Sequence, residues 1–287
     1  MKKMLIIQNK TDEDMVMFEL MIRSEIRHPF LINQVCAFQD YDNLYYITEY
    51  APTLLLKSNI LPKKFSCEIT KFYAAEMFLC LKYLHSKGQN YTFLSSKNIF
   101  LSTGGHIKLG YSFCNCIECS NNGVLDDLEY LSPDYLENNR FGYMSDYWSL
   151  GIVIYQMIHG YTPFLCESMD LTMAEIKRCK LVIQEVVSED THSILHMLID
   201  RNLMTKYPTC KALEDAIMKH SFFAEIDWVK LENKEYEPPF IIKLPEYDIK
   251  ASPNLNLLYT SDCCGEGKDG YGNIFTSYNT VHFLKKK

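Results

Sequence analysis

The chain has 287 residues, 47% hydrophobic and 23% charged, an ordinary globular composition that excludes a low-complexity or disordered polymer. A net charge of −7 and a pI near 5.6 argue against nucleic acid or an anionic membrane as the main partner. No window approaches the roughly 20 apolar residues of a membrane span. Met4–Ile7 is too short for the apolar core of a signal peptide. The 11 cysteines are odd in number and scattered, mostly in apolar segments, as expected of reduced thiols in a cytoplasmic or nuclear protein.

In chain order, Lys2–Gln8 reads as a strand. A helix follows, with Thr11 as N-cap and an acid three residues later, and it runs to about Arg27, where His28-Pro29 stops it. Phe30–Phe38 and Asn43–Ala51 read as paired strands joined by a turn at Gln39–Asp42. Ile69–Ser86 is a strong helix: Ile69, Tyr73, Met77, Cys80, Leu81 and Leu84 share one face, and Gly88 ends it. Ile99–Leu101 and His106–Leu109 flank Ser102–Gly105, a four-residue hairpin loop. Tyr147–Ile158 is apolar on every side, which predicts a buried central helix closed by Gly160. Helix-rich sequence continues to Phe223. Glu225–Lys287, rich in Pro, Gly and Asn, then predicts a tail wrapped on the surface. There is no internal repeat.

Several motifs stand in a fixed order along this frame. Phe72-Tyr73-Ala74-Ala75-Glu76 and Tyr83-Leu84-His85 precede a loop, Glu129-Tyr130-Leu131 precedes Ser132-Pro133-Asp134, and Asp146-Tyr147-Trp148-Ser149-Leu150-Gly151 precedes Gly160-Tyr161-Thr162-Pro163-Phe164. This series resembles the protein kinase D-x-W-S-L-G…G-x-x-P-F block and the segments upstream of it. Glu237-Pro238-Pro239-Phe240-Ile241 and the aromatic C-terminal end are similar to the tail of AGC kinases, the group of the cAMP-dependent kinase catalytic subunits. The resemblance runs from about Lys2 to the C-terminus. It implies an α+β, two-lobed kinase-like fold over residues 1–223, with an N-lobe remnant about 1–50, a helical C-lobe about 51–223, and an AGC-type tail over 224–287. With Met1 immediately before the first strand, the expectation is an N-lobe truncated at its start, without its first two strands or the Gly-rich loop.

The resemblance also locates the chemistry, and there the chain departs from the family. In Tyr83–Leu101 the family pattern has an H/Y-R-D triplet whose Asp is the catalytic base, then a loop Lys and a metal-binding Asn. Tyr91-Thr92-Phe93 fills the triplet, so Phe93 stands in the Asp slot, Ser95 in the Lys slot, and Asn98 is retained. After Ile107-Lys108-Leu109 the chain reads Gly110-Tyr111-Ser112-Phe113, so Tyr111 takes the slot of the Mg²⁺-binding DFG Asp. A phenyl ring accepts no proton, and a neutral phenol is a poor ligand for a hard cation. Losing a general base costs roughly 10²–10⁴-fold in rate. Losing the metal costs on the order of another 10³-fold.

The resemblance assigns a vestigial nucleotide pocket to Lys3 (Lys2 being the alternative), Glu19, Thr48, Glu49, Ala51 and Asn98. The opposed readings are a terminal lysine for Lys3 and a solvated helical acid for Glu19. It assigns structural roles to Asp146, expected to accept hydrogen bonds from the catalytic-loop backbone, and to Asp134 and Lys206, which replace a Glu–Arg pair anchoring the activation segment. Gly123 stands where relatives carry a phosphorylated Thr, and Asp127 at the substrate-loop Thr. The apolar spine linking the lobes falls on Arg23, Gln34, Tyr91 and Ser112, of which only Tyr91 is suitable; a one-residue slip restores Ile22.

Other constellations carry less. Cys114, Cys116 and Cys119, with Cys263-Cys264, are read as unliganded thiols, because four zinc ligands need not meet from two distant groups. His192 and His196 are read as ordinary helix-face residues without a metalloprotease acid. For Tyr271, Phe275 and Tyr278 two readings stand, an AGC hydrophobic motif gripping the N-lobe or a free aromatic tail. Together the residues point to a catalytically inactive AGC-type pseudokinase, a scaffold or regulator that binds a protein partner such as a related active kinase, its regulator or its substrate. Neither ATP nor Mg²⁺, the cofactors of the relatives, is expected as a working cofactor here. The competing reading is residual or unconventional ATP-dependent Ser/Thr phosphotransfer.

Overall fold

A computed structural model describes residues 2–5, 24–39, 43–56, 61–92, 94–110, 125–138, 142–184, 187–243 and 280–281. The chain forms two compact units, one of residues 1–27, 32–50 and 243–287, the other of residues 28–31 and 51–242.

The first unit is a four-stranded sheet. Strands β1 (Lys2–Leu5), β2 (Gln34–Gln39), β3 (Asn43–Thr48) and β7 (Thr280–Val281) lie in the order β1-β3-β2-β7. β3 pairs antiparallel with both β1 and β2, with Lys3 opposite Tyr45 and Ala37 opposite Tyr46. A register shift between Gln34 and Cys36 marks a bulge near the start of β2. That strand begins four residues later than the apolar run predicts. Phe30 and Leu31 bond elsewhere: the Leu109 amide donates to the Phe30 carbonyl at 2.8 Å, and Leu31 forms a parallel bridge with Leu109. Ser24 and Glu25 are helical and the helix has ended by Ile26, as the His28-Pro29 stop requires.

The second unit is mostly helical. β4 (Thr53–Leu54), β5 (Ile99–Leu101) and β6 (Ile107–Leu109) form a small antiparallel sheet. Its helices are α1 (Cys67–Ser86), α2 (Pro133–Asn138), α3 (Tyr143–His159), α4 (Met169–Arg178), α5 (Glu189–Leu198), α6 (Leu203–Lys206), α7 (Cys210–Lys219) and α8 (Trp228–Glu232). α1 begins two residues before the predicted start because Ser66 caps it, its hydroxyl accepting from the Ile69 amide. α3 is the central helix. Met144 to Tyr155 is buried without interruption, and Gly160 (φ +81°) ends the helix by donating to the Gln156 carbonyl at 2.8 Å. α3 packs on α1 and on α5, and Gly151 permits the second contact: a Cβ there would stand 2.8 Å from Leu198 Cβ.

One expectation changes. Leu101 pairs with Ile107, so the hairpin loop is Ser102–His106, five residues rather than four. His106 leaves the strand because its ring bonds a buried carboxylate: Glu76 Oε1 lies 2.6 Å from His106 Nδ1, and Oε2 accepts from the Ile107 amide at 2.9 Å. The described beginning of the tail runs largely exposed over the helical unit and is held there by a few anchors. Leu231 is fully buried, Trp228 lies 5.2 Å from the Phe78 ring, and Phe240 stacks on Tyr73. Gly105 (φ +85°) admits this segment, since a Cβ there would stand 1.8 Å from the Phe240 carbonyl oxygen.

Candidate functional site

The loop between α1 and β5 is built from its two ends inward. α1 finishes with His85 in its last turn, and Lys87 and Gly88 (φ +71°) turn the chain out of the helix. On the far side the Asn98 amide donates to the Ser95 carbonyl at 3.0 Å, and the Gly110 amide donates to the Asn98 carbonyl at 2.8 Å, tying the loop to the end of β6.

Asp146, in the first turn of α3, holds the middle. It is 1% exposed, and its two oxygens accept from the Tyr91 amide at 2.8 Å and the Thr92 amide at 2.7 Å. Hydrogen bonds to a buried charge are the strong kind, and they hold Thr92 at φ +76°. A β-branched residue in that region is strained by about 1–3 kcal/mol. The Tyr91 hydroxyl donates to the Gly110 carbonyl, a second tie between the loop and β6.

His85 Nε2 lies 2.8 Å from Asp146 Oδ2, so the same carboxylate binds a ring as well as two amides. Burial by itself would lower the His85 pKa, but hydrogen bonds to Asp146, Cys210 and Glu214 outweigh it and hold the ring up at about 11. Cys210 and Glu214, one turn apart on α7, face it, and Tyr147 of α3 donates its hydroxyl to Glu214 Oε1 at 2.8 Å. Neither Cys210 nor Glu214 is among the residues expected from sequence, and His85 is expected only as part of the Tyr83-Leu84-His85 motif; C-x3-E at the start of an amphipathic helix marks the α7 pair but not its meeting with His85.

The other expected site residues fall as follows. Ser95 is fully buried, and among the described residues its hydroxyl has no hydrogen-bond partner. Ser96 Oγ lies 3.0 Å from the Tyr130 hydroxyl. Asp127, in the substrate-loop slot, pairs with Lys97 at 3.5 Å. In the sheet unit Lys3 lies on β1 and Thr48 ends β3 opposite Gln34. Glu49 follows, its Oε2 accepting from the backbone and side-chain amides of Asn33 at 3.2 Å each. Ala51 opens the helical unit's second segment. Phe93, Tyr111, Glu19, Arg23, Ser112, Gly123, the Cys114–Cys119 cluster, Cys263-Cys264, Tyr271, Phe275 and Tyr278 lie outside the described residues.

The expected Asp134–Lys206 pair is corrected. Lys206 bonds to Asp200, six residues back in its own loop, and Asp134 accepts from Asn138 Nδ2 at 2.7 Å within α2. A lysine bonds as a point charge on a flexible stem and lacks the rigid fork by which a guanidinium grips a carboxylate. Arg201, in the same loop, supplies a guanidinium: it donates to Glu137 Oε1 at 2.6 Å and to the Lys177 carbonyl at 3.2 Å, joining α2 to the loop after α5. His192 and His196 do share a face of α5, with rings 4.3 Å apart; burial first, then the neighbouring ring, lowers the His196 pKa.

A sheet unit, a helical unit and a loop pinned by the D-x-W-S aspartate are the parts of one family, and its model, the protein kinase domain, matches residues 1–223. The chain belongs to the protein kinase family. It has the two-lobed kinase-like fold and is AGC-like. It is 34% identical to human protein kinase C eta type over 253 residues, 84% of this chain and 36% of that protein. It is 32% identical to the putative ribosomal protein S6 kinase alpha-1 of Caenorhabditis elegans, covering 80% of this chain and 30% of that one. It is 31% identical to a cAMP-dependent protein kinase catalytic subunit of Arthrobotrys oligospora, covering 88% and 50%. The chain thus spans between about a third and a half of these relatives.

Proposed function

We propose that this kinase-family chain is a pseudokinase of the AGC type: it keeps the kinase frame, transfers no phosphate, and acts by binding a protein partner as a scaffold or regulator of kinase signalling. The observation that carries this reading is the contrast around one loop. Asp146 clamps the Tyr91 and Thr92 amides at 2.7–2.8 Å, so the backbone that would present a catalytic base is built. The next residue is Phe93, the loop Lys is replaced by buried Ser95, and Tyr111 takes the metal-binding slot. A frame without its carboxylates can position a substrate hydroxyl but cannot take its proton or hold Mg²⁺.

The six described cysteines, Cys36, Cys67, Cys80, Cys166, Cys179 and Cys210, are free thiols, which supports a cytoplasmic or nuclear setting. Among the described residues no helix is long and apolar enough to cross a membrane.

The decisive experiment is a thermal melt of the full chain with and without Mg·ATP, followed by phosphate transfer to a mixed Ser/Thr peptide library. A ligand that binds only the folded state must raise Tm. The expected result is no Mg²⁺-dependent shift and no transfer. A clear Mg²⁺-dependent shift together with transfer that is lost in Asn98→Ala would overturn the proposal.

A further inference from the structure

Below the pinned loop two helices bring three unlike ligands to one point. His85 ends α1, Cys210 opens α7, and Glu214 follows it one turn later on the same face. His85 Nδ1 stands 3.5 Å from Cys210 Sγ and 3.7 Å from Glu214 Oε1, and Cys210 Sγ stands 3.1 Å from the same Oε1. With metal–ligand bonds of about 2.0–2.3 Å, the edges of a tetrahedral zinc site are roughly 3.3–3.6 Å long. The three observed edges lie within a few tenths of an ångström of those lengths. The fourth corner is faced by the Tyr147 hydroxyl, 3.2 Å from Nδ1 and 2.8 Å from Oε1.

We propose that His85 Nδ1, Cys210 Sγ and Glu214 Oε1 form a zinc site, with Asp146 as the outer-shell carboxylate behind the histidine and the Tyr147 hydroxyl or a water at the open position. The N, S and O donor set suits a borderline-soft divalent ion better than Mg²⁺ or Ca²⁺. Asp146 on Nε2 is the carboxylate–histidine arrangement that orients metal-binding imidazoles and leaves Nδ1 as the ligand atom. The His85 and Asp146 side chains are 3% and 2% exposed, while Cys210 is only half-buried and gives the ion its way in. The bound ion would tie α1 to α7 and, through His85 and Asp146, stiffen the loop at Tyr91-Thr92. This site does not depend on whether the protein transfers phosphate.

The test is titration of the full chain, stripped with chelator, with Co²⁺ as a spectroscopic stand-in and then with Zn²⁺. The expected result is one equivalent of Co²⁺ giving tetrahedral visible bands and a thiolate charge-transfer band, displaced by Zn²⁺. Cys210→Ser should abolish the charge-transfer band. Glu214→Gln should weaken binding by at least about tenfold, since outer-shell changes alone cost 10–100-fold. A combined Cys114→Ser, Cys116→Ser, Cys119→Ser variant should keep the spectrum. On the wild-type chain, Zn²⁺ should protect Cys210 from alkylation, read by peptide mass spectrometry, a measurement that needs no variant to fold. Absence of stoichiometric binding, a band that survives Cys210→Ser or disappears with the activation-segment cysteines, or Cys210 alkylated equally with and without Zn²⁺ would each overturn the proposal.

Discussion

Asp146 carries more of the local structure than any other residue in the loop region. Its two oxygens accept from two backbone amides and one ring nitrogen, all in a site almost without solvent. Removing one member of a buried charged network leaves its partners unpaired, which costs about 3–5 kcal/mol. Asp146→Ala is therefore expected to lose stability of that order in denaturant unfolding, and Asp146→Asn less, because one oxygen remains to accept. A loss below about 1 kcal/mol in the alanine variant would mean that the loop holds its shape without this clamp. Glu76 makes a parallel case. It is fully buried, burial raises its pKa, and its two oxygens bind His106 and the Ile107 amide. Glu76→Gln keeps an acceptor and is expected to destabilise less than Glu76→Ala, with the order of the two midpoints as the check. Asp146 was legible in the sequence because it sits in a motif whose spacing to the loop is distinctive. The roles of Glu76 and His106 were not, since residues 30 apart meet only once α1 and the β5–β6 hairpin have docked.

At the scale of elements, the helices follow their sequence signals closely. Ser66, Ser168, Ser188 and Thr209 each cap a helix by accepting from an amide three residues on, and Gly160 ends α3 where a left-handed residue was expected. Such signals are local, so the sequence displays them. The hairpin and the start of the tail behave differently. Gly105 serves the turn with φ +85°, and it also clears space for the Phe240 carbonyl, a contact between segments more than 130 residues apart. Gly105→Ala would pay twice, in backbone strain and in displacement of Phe240 from Tyr73 and Phe65. The expected outcome is a Tm lowered by several degrees, with residues near Phe240 becoming faster in amide exchange. Slow, unchanged exchange there would show that the tail segment docks independently of this turn.

For the molecule as a whole, acid should be the weak side. His28 is 3% exposed, and burial, followed by the nearby charges of Lys108 and Lys234, lowers its pKa to about 4. Glu232 at 3.9 Å pulls the other way but is half-exposed and does not offset them. The unfolded chain takes up this proton near 6.5 and the folded chain only near 4, so the stabilisation is complete above 6.5 and declines as pH falls through that window. The contribution is on the order of 3 kcal/mol. His28→Asn, which keeps an acceptor for the Phe30 amide now served by Nδ1, should flatten the stability profile between those values. An unchanged slope would place the acid sensitivity elsewhere. The same window contains the pI near 5.6, so loss of net charge and loss of stability are expected to coincide.

The family, the order of the main elements, the Gly88 and Gly160 helix stops, and the replacements at 93, 95 and 111 are legible in the sequence. These are properties of residue type at a fixed spacing, which survive without coordinates. Only the tertiary structure decided who pairs with whom. Lys206 went to Asp200 and left Arg201 to bind Glu137, because a charge takes the partner that packing brings within reach. Likewise His85, Cys210 and Glu214 became one cluster only when α1 and α7 met beside α3, and no spacing along the chain announces a contact across 125 residues.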